Sequence, residues 1–314
     1  MKIESQQQRP DEAKEAETKF SPLSVYKDYL NDPNTKECLR ISNEYSELRR
    51  QIRQRYDDLD KTKNTISSGK YEMEKNKLIR WQQEEQKKFN EEIGRPIEQV
   101  WEQDRKTEEK YFGFDDGAVA GTLEAFNKFC LEHYGRIHSE KWDYGATKYL
   151  SLMSVILKIY GQNLNGVTIV EIGPGSEGKT VLEFLQHLGA KAIGLDNNKS
   201  TEAKGVVQYG EWSKLSKSIE HDSADVIFTH NMTPLASSGT EFEFDSEAFE
   251  KRCAEELHKC LKHNGVLIEH MIDADRGLQN PGHYGLGKYI PIGFSSNKQG
   301  PHYKGSMNLF IRTE

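Results

Sequence analysis

The sequence predicts an α/β protein, with a seven-stranded, mostly parallel sheet that ends in an antiparallel hairpin and is preceded by an N-terminal helical region. Residues 1–112 hold only two of the 25 glycines, together with 23 basic and 24 acidic side chains. From residue 167 onward, short β-branched runs alternate with helical patterns, which is typical of a parallel sheet covered on both faces. The last two predicted strands have no helix between them, which indicates an antiparallel pair.

Three segments follow from these patterns. Residues 1–22 are polar and are predicted to be a disordered tail. Residues 23–112 are predicted to form a helical hairpin or arm, because Ile41, Tyr45, Leu48 and Ile52 repeat at helical spacing. Residues 113–314 are predicted to be the α/β domain, with 113–160 as its helical flank. The arm either packs on its own body, dimerises or covers the active site.

The predicted elements of the α/β domain follow one another at regular intervals. Helices are expected at Thr180–Leu188 and Phe249–Leu261. Strands are expected at Val167–Ile172, Ala192–Leu195, Gly205–Gln208, Ala224–Thr229, Gly265–Glu269, Tyr289–Phe294 and Met307–Arg312.

Composition excludes several classes of protein. No run of about 18 apolar residues could cross a membrane, and Met1–Glu17 lacks the apolar core of a secretory signal. The formal net charge of -7 argues against a general nucleic-acid binder. The four cysteines show no metal-binding or redox spacing, so we expect reduced thiols in a cytoplasmic protein.

A glycine loop joins the first strand of the domain to its helix. The sequence from Glu171 to Thr180, EIGPGSEGKT, satisfies GxGxxG through Gly173, Gly175 and Gly178. With Lys179 and Thr180 it also satisfies the phosphate-loop pattern GxxxxGK[ST]. Both patterns use glycine for a tight turn and a close approach of the ligand to a helix N-terminus. The loop alone therefore indicates a cofactor or nucleotide crevice.

Three features separate the possible ligands of this loop. Glu171 stands two residues before Gly173, where it could accept hydrogen bonds from a cationic ligand. Asp196 ends the second strand, where a carboxylate can bind two ribose hydroxyls. The fourth strand ends in 228–231, FTHN, without the acid that a phosphate-loop enzyme uses to hold Mg²⁺.

Four segments resemble the successive motifs of class I S-adenosylmethionine-dependent methyltransferases. They are Val170–Gly178 (VEIGPGSEG), Gly194–Asp196 (GLD), Ala224–Phe228 (ADVIF) and Leu261–Glu269 (LKHNGVLIE). The resemblance covers roughly Thr147–Glu314 and implies a Rossmann-like fold with S-adenosylmethionine as cofactor. This chain departs from the family's usual GxGxG at Glu177, and His263-Asn264 stand in place of Pro-Gly.

The resemblance implies cofactor-binding roles for seven residues. The methionine part of the cofactor would lie against the glycine loop, the ribose against the second strand, and the adenine beside the third. The residues implied for the methionine part are Glu171, Gly173 and Gly175, and the residue implied for the ribose is Asp196. Those implied for the adenine side are Asn197, Glu211 and Trp212.

The acceptor is expected at the end of the fourth strand, beside His230 and Asn231. An imidazole with an ordinary pKa near 6.5 suits a general base at neutral pH, so His230 is the first candidate and His270 the second. Orientation alone can supply much of the acceleration of methyl transfer, so a base is not obligatory. A grouping of His270 with Asp273, Asp275 and His283 matches no standard metal site, and we expect no metal.

The sequence therefore predicts a methyltransferase that acts on an O or N atom of a small molecule. Residues 231–235, NMTPL, lack the pattern of enzymes that methylate nucleic-acid bases. Homodimerisation through the N-terminal helices is a further expectation. Two alternatives stay open: a phosphate-loop nucleotide-binding protein that uses Gly173–Thr180, and a non-catalytic scaffold with the arm as its interaction module.

Overall fold

A computed structural model describes residues 21–136, 144–175, 178–230, 246–271, 281–295 and 306–314. The chain divides into two compact units. The helical unit comprises Asp28–Glu108, and the sheet unit comprises the described residues up to Lys27 together with those from Glu109 onward. Within the described residues, no helix combines the length and the apolar character that a membrane crossing requires.

Between residues 21 and 112, which the structure describes without a gap, the chain forms four helices. They are α1 (Pro22–Asn31), α2 (Pro33–Thr62), α3 (Ser68–Glu92) and α4 (Ile97–Phe112). The Asp32 side chain caps α2 by accepting from the Asn34 amide, and Pro33 fits the first turn because its missing N–H would have no partner there. Helix α1 begins at the last residue of the predicted tail, Pro22; residues 1–20 lie outside the described part.

The helical unit has a small core of its own. Helices α2 and α3 run antiparallel, since Tyr45 packs against Phe89 while the Tyr56 hydroxyl donates to Gln82 further along. The predicted stripe on α2 contributes to the core, but α3 has no buried residue. The core residues are Cys38, Ile41, Tyr45, Ile97 and Val100, with Leu48, Phe89 and Ile93 packed against them.

After α4 the chain continues with α5 (Asp116–Tyr134) and α6 (Tyr144–Tyr160), followed by alternating strands and helices. The strands are β1 (Thr168–Ile172), β2 (Lys191–Asp196), β3 (Val207–Tyr209), β4 (Ala224–His230), β5 (Leu261–Met271), β6 (Tyr289–Ser295) and β7 (Ser306–Arg312). The helices between strands are α7 (Gly178–His187) and α8 (Ser246–Cys260), with 3₁₀ turns at Lys199–Thr201, Trp212–Lys217 and Pro281–Tyr284.

The sheet has the order β3-β2-β1-β4-β5-β7-β6. Strands β1 to β5 are parallel to their neighbours, whereas β7 runs antiparallel to both β5 and β6. This confirms the predicted fold class, a Rossmann-like seven-stranded sheet with a terminal antiparallel hairpin. Apolar residues of neighbouring strands, such as Val170, Ile227 and Leu267, are fully buried under α8 and the 212–217 turn.

Two strands start two or more residues away from the predicted position. Strand β5 starts at Leu261, directly after α8, and Leu261 pairs with Ala224 before the register shifts. Asn264 adopts a φ of 61°, a left-handed conformation that asparagine tolerates, so the expected turn lies inside the strand. Strand β3 begins at Val207, because Gly205 at a φ of 79° belongs to the turn before it.

Candidate functional site

The carboxyl ends of β1, β2, β4 and β5 meet at one edge of the sheet. The strand order changes direction at β1, which has β2 on one side and β4 on the other. In open parallel sheets, ligands bind in the crevice at this kind of position. The glycine loop and Asp196, which the sequence singled out, both lie at this edge.

The glycine loop is held by backbone bonds to the end of β2. Gly173, at a φ of 70°, donates its N–H to the Leu195 carbonyl over 2.8 Å. Gly175, at a φ of 57°, donates to Oδ2 of Asp196 over 2.9 Å. Both positions require glycine, because a side chain is strained in this left-handed conformation.

Asp196 uses its two carboxylate oxygens on two different segments. Besides the bond to Gly175, its Oδ1 accepts from the Asn198 amide at 2.8 Å. Its side chain is nearly buried, and each oxygen keeps lone pairs for a further donor. The residue predicted to bind ribose is therefore also the residue that fixes the loop to the strand.

Glu171 is a carboxyl group buried in the middle of this arrangement. It has no exposed surface; its Oε1 accepts from the Tyr149 hydroxyl at 2.6 Å, and its Oε2 has no hydrogen-bond partner. Its pKa is raised to about 8: burial is the largest cause, the Tyr149 hydrogen bond opposes it, and the nearby Asp196 charge adds a smaller increase. Tyr149 could not be predicted as a site residue, because no local pattern in the sequence links it to Glu171, 22 positions further along the chain.

The position of the Glu171 carboxyl requires a glycine at Gly178, the third glycine of the loop. A Cβ at Gly178, the first residue of α7, would lie 2.7 Å from Oε2 of Glu171 and 2.6 Å from Cβ of Pro174. The loop therefore passes directly over the carboxyl group, and any side chain at Gly178 would fill the space beside it.

The charges around the loop are unsuited to a polyphosphate. Among the described residues, neither Glu171 nor Asp196 forms an ion pair. Lys179, which a phosphate loop would direct at its ligand, instead has its Nζ 3.8 Å from Glu183, one turn along α7. Glu183 also accepts a hydrogen bond from Tyr134. Two acidic side chains that have no ion-pair partner among the described residues favour a cationic ligand over an anionic one.

The three residues assigned to the adenine side differ in their surroundings. Asn197 is exposed beside Asp196. Glu211 is exposed, and its Oε2 lies 2.6 Å from Nζ of Lys214. Trp212 is buried in the core cluster that includes Ile172 and Leu195, and its Nε1 has no hydrogen-bond partner. The structure thus gives Trp212 a packing role and Glu211 a surface ion pair.

A row of polar residues crosses the sheet where β4 and β5 approach their ends. Thr229 on β4 pairs with Glu269 on β5, and Glu269 pairs with Asn308 on β7. All of Glu269 is buried, and its Oε2 accepts from Nδ2 of Asn308 at 3.1 Å. Thr229 is also buried, with an Oγ1 that has no partner. Glu269 is not among the predicted site residues, although an acid that ends the apolar run GVLIE was the available signal.

The predicted catalytic residues are partly described. His230 and His270 are register partners on β4 and β5, so their backbones are adjacent at the edge. Their side chains, all of Asn231, and the side chains of Asp273, Asp275 and His283 lie outside the described residues. In the part of the chain that is described, no group of three or more potential ligands could hold a metal ion.

Comparison with known proteins gives structural similarity only. No protein-family model and no curated protein matches the sequence. Solved structures with similarity include a TehB-like SAM-dependent methyltransferase from Corynebacterium glutamicum, at 16% identity over 62% of this chain and 98% of that chain, with a TM-score of 0.35. The CurJ carbon methyltransferase shows 13% identity over 94% of this chain and 100% of that chain, with a TM-score of 0.39. The CMeT domain of the citrinin polyketide synthase shows 13% identity over 67% and 70%, also at 0.39.

Proposed function

We propose that this chain is an S-adenosylmethionine-dependent methyltransferase that acts on an O or N atom of a small molecule. The observation that supports this most directly is the glycine loop placed over the buried carboxyl of Glu171 and tied to the carboxylate of Asp196. S-adenosylmethionine carries an ammonium and a sulfonium group. The Asp196 carboxylate, and the Glu171 carboxyl once it ionises, attract both.

The residues at the loop fit this cofactor. Oε2 of Glu171 is a buried acceptor without a partner, which an ammonium N–H would satisfy. The space beside it exists because Gly178 has no side chain. Asp196 keeps free lone pairs at the end of β2, where ribose hydroxyls would be bound. Glu171, Gly173, Gly175 and Asp196 are therefore the residues that we assign to the cofactor.

When bound, the cofactor supplies a methyl group activated by its positive sulfur. The chain's own task is to hold the acceptor in line with that methyl group, since orientation accounts for much of the barrier reduction in such displacements. His230 and His270 occupy adjacent register positions at the end of β4 and β5. Either imidazole would accept the proton that a hydroxyl or amine acceptor loses.

A small acceptor is favoured by the character of this edge. In the polar row of Thr229, Glu269 and Asn308, the first two side chains are buried and Glu269 is an acid, which disfavours a polyanionic substrate. The net charge of -7 also disfavours a polyanionic substrate. We expect methyl-labelled S-adenosylmethionine to transfer label to the small-molecule fraction of a cell extract; label in nucleic acid or protein would contradict the acceptor class. Cofactor binding without any transfer would favour the scaffold alternative.

Calorimetric titration distinguishes the proposed cofactor from a nucleoside triphosphate. S-adenosylmethionine and S-adenosylhomocysteine should both bind, whereas ATP with Mg²⁺ should not. Lys179→Ala should leave both affinities unchanged, because the Lys179 amine lies beside Glu183 rather than at the loop. Binding of ATP with Mg²⁺ that depends on Lys179 would restore the phosphate-loop alternative.

For the helical unit we propose self-association in a cytoplasmic homodimer. Its longest exposed apolar side chains, Leu39, Met73 and Trp101, are between 38% and 49% exposed, and α3 contributes no buried residue. Sedimentation equilibrium should give a dimer for the full chain and a weaker one for Trp101→Glu.

The four buried cysteines fit a reducing compartment, as the proposed cytoplasmic location requires. Burial raises the pKa of Cys253 and of Cys260 to about 12, so these thiols are unreactive.

A further inference from the structure

Among the described residues, no positively charged side chain pairs with the carboxyl of Glu171. Its only described hydrogen bond comes from Tyr149 on α6, and its Oε2 is buried without a partner. A carboxylate in such a place is costly unless a cation accompanies it. In the cofactor-free protein the group therefore holds a proton at neutral pH, in agreement with a pKa that burial raises to about 8.

The groups that surround Glu171 are few. Helix α6 contributes Tyr149, and β2 contributes Gly194 in register and the Asp196 carboxylate. Strand β4 contributes Phe228 in register. Helix α7 contributes Gly178, while the Lys179 amine is beside Glu183. Glu177 lies outside the described residues. Within the described part of the chain, the ionisable groups that affect Glu171 are thus another acid and a phenol, and neither compensates a negative charge.

We propose that cofactor binding expels a proton from Glu171, and that Tyr149 is the positioning residue that keeps Oε2 directed at the cofactor's ammonium group. This rests on the proposed function, because the ligand is taken to be S-adenosylmethionine or S-adenosylhomocysteine. The O–H bond of Glu171 breaks, its proton goes to solvent, and the ammonium keeps its three protons and pairs with the new carboxylate. Tyr149 donates to Oε1, so Oε2 is the oxygen left for the ligand.

The proton can be counted by titration calorimetry with S-adenosylhomocysteine at pH 7, in buffers that differ in ionisation enthalpy. About one proton should be released per cofactor bound, and the affinity should rise about tenfold per pH unit between pH 6 and 7. 5′-Methylthioadenosine has the same nucleoside without the amino-acid part, so it should bind with no proton release.

Three variants separate the roles. Glu171→Gln should release no proton, and its affinity should not change between pH 6 and 7. Because the ligand's own amino group titrates near pH 8, the protons counted with this variant also give the ligand's contribution, which is subtracted from the wild-type count. Tyr149→Phe removes a hydrogen bond that favours the ionised form, so the affinity at pH 7 should fall about tenfold and the pH dependence should shift upward by about one unit. The matched control is Tyr160→Phe, on the same helix, whose hydroxyl donates to the Asp225 backbone carbonyl over 2.9 Å; its pH profile should match the wild type.

Each result decides one point. Proton release that is equal in wild type and Glu171→Gln overturns the assignment to Glu171. Above pH 8 the wild-type carboxyl is already ionised while that of Tyr149→Phe continues to ionise, so the deficit in affinity of Tyr149→Phe should shrink. A deficit that is as large at pH 9 as at pH 7 overturns the positioning role. If Glu171→Gln fails to fold, infrared difference spectra of the wild type still test the proposal. The protonated-carboxyl band should disappear when S-adenosylhomocysteine binds, and its persistence would contradict the proposal. Absence of any cofactor binding by the wild type would instead remove the proposed function itself.

Discussion

At the scale of single residues, Asp196 combines a structural and a binding role in one carboxylate. It accepts backbone N–H bonds from Gly175 and Asn198, and so fixes both the glycine loop and the segment after β2. Asp196→Asn would replace one acceptor by an amide that cannot accept. Hydrogen bonds to charged groups contribute about 1.5–3 kcal/mol, so the affinity for S-adenosylhomocysteine should fall about 10- to 100-fold in calorimetric titration.

A matched carboxylate at the opposite end of the sheet provides the control for Asp196. Asp225 accepts from the Thr168 amide at 2.8 Å and from the Lys262 amine at 2.8 Å, near the start of β4. Asp225→Asn should lower the unfolding temperature and leave cofactor affinity unchanged. Equal affinity in Asp196→Asn and wild type would remove Asp196 from the cofactor site.

The stability of the cofactor-free protein should depend on Glu171. Its pKa is about 8 in the folded protein, against 4.5 in an unfolded chain, so between these values the folded state holds a proton that the unfolded state has released. Stability contributed by the neutral form is therefore complete below about pH 4.5 and is lost as the pH rises toward 8. The loss is about 1.4 kcal/mol per pH unit. In urea unfolding from pH 5 to 8, Glu171→Gln should lack this decline, and parallel curves for both proteins would contradict it.

Local sequence signals predicted some of these residues and not others. Glu171 and Asp196 could be predicted because both stand at fixed offsets from the glycine loop. Tyr149 and Asn308 could not, because their roles come from contacts with residues 22 and 39 positions away. Glu269 looks like the end of an apolar strand, and only the register beside Thr229 identifies it as part of a polar row.

At the scale of elements, the start of α7 is constrained by what lies beneath it. Gly178→Ala would place a Cβ 2.7 Å from Oε2 of Glu171, so the loop must shift. Such overpacking costs about 1–3 kcal/mol and displaces the carboxyl from its bound position. We expect a lower unfolding temperature and weaker binding of S-adenosylhomocysteine, measured by calorimetry on the same preparation.

The control for this substitution is Gly121→Ala, inside α5. A Cβ there would have no heavy atom within 4 Å, and alanine is the better helix former by about 1 kcal/mol. Gly121→Ala should therefore stabilise the protein slightly and leave binding unchanged. If both substitutions destabilise the protein, the Gly178→Ala result would reflect a general effect of replacing a glycine in a helix, and not the contact with Glu171.

The order and type of the elements were predictable, whereas some of their boundaries were not. Apolar periodicity identified seven strands because buried parallel strands consist of continuous β-branched runs. The boundary at Leu261 was missed because Leu261 fits either the apolar face of α8 or the first position of β5. Pairing with Ala224 across the sheet favours the strand, and no local pattern contains that information.

At the scale of the whole molecule, the two units have separate cores. The core of the helical unit is built around Cys38, Ile41 and Val100, while the sheet unit buries a larger cluster between β1, β4 and α8. Each core lies entirely within one unit of the division at 28–108. Heat should therefore unfold the chain in two transitions, and a perturbation of one core should move only one of them.

Scanning calorimetry of Ile41→Ala, with and without S-adenosylhomocysteine, tests this separation. Removing a fully buried isoleucine side chain costs about 2–5 kcal/mol, which for a unit of this size lowers its transition by about 10 °C or more. Saturating cofactor at about 100 times its Kd stabilises its unit by about 2.7 kcal/mol and should raise only the other transition. Leu257→Ala, in the core of the sheet unit, should lower the transition that the cofactor raises and leave the transition of the helical unit unchanged. A single transition that responds to Ile41→Ala, Leu257→Ala and cofactor alike would mean that the helical unit unfolds together with the sheet, so that cofactor binding would stabilise both units at once.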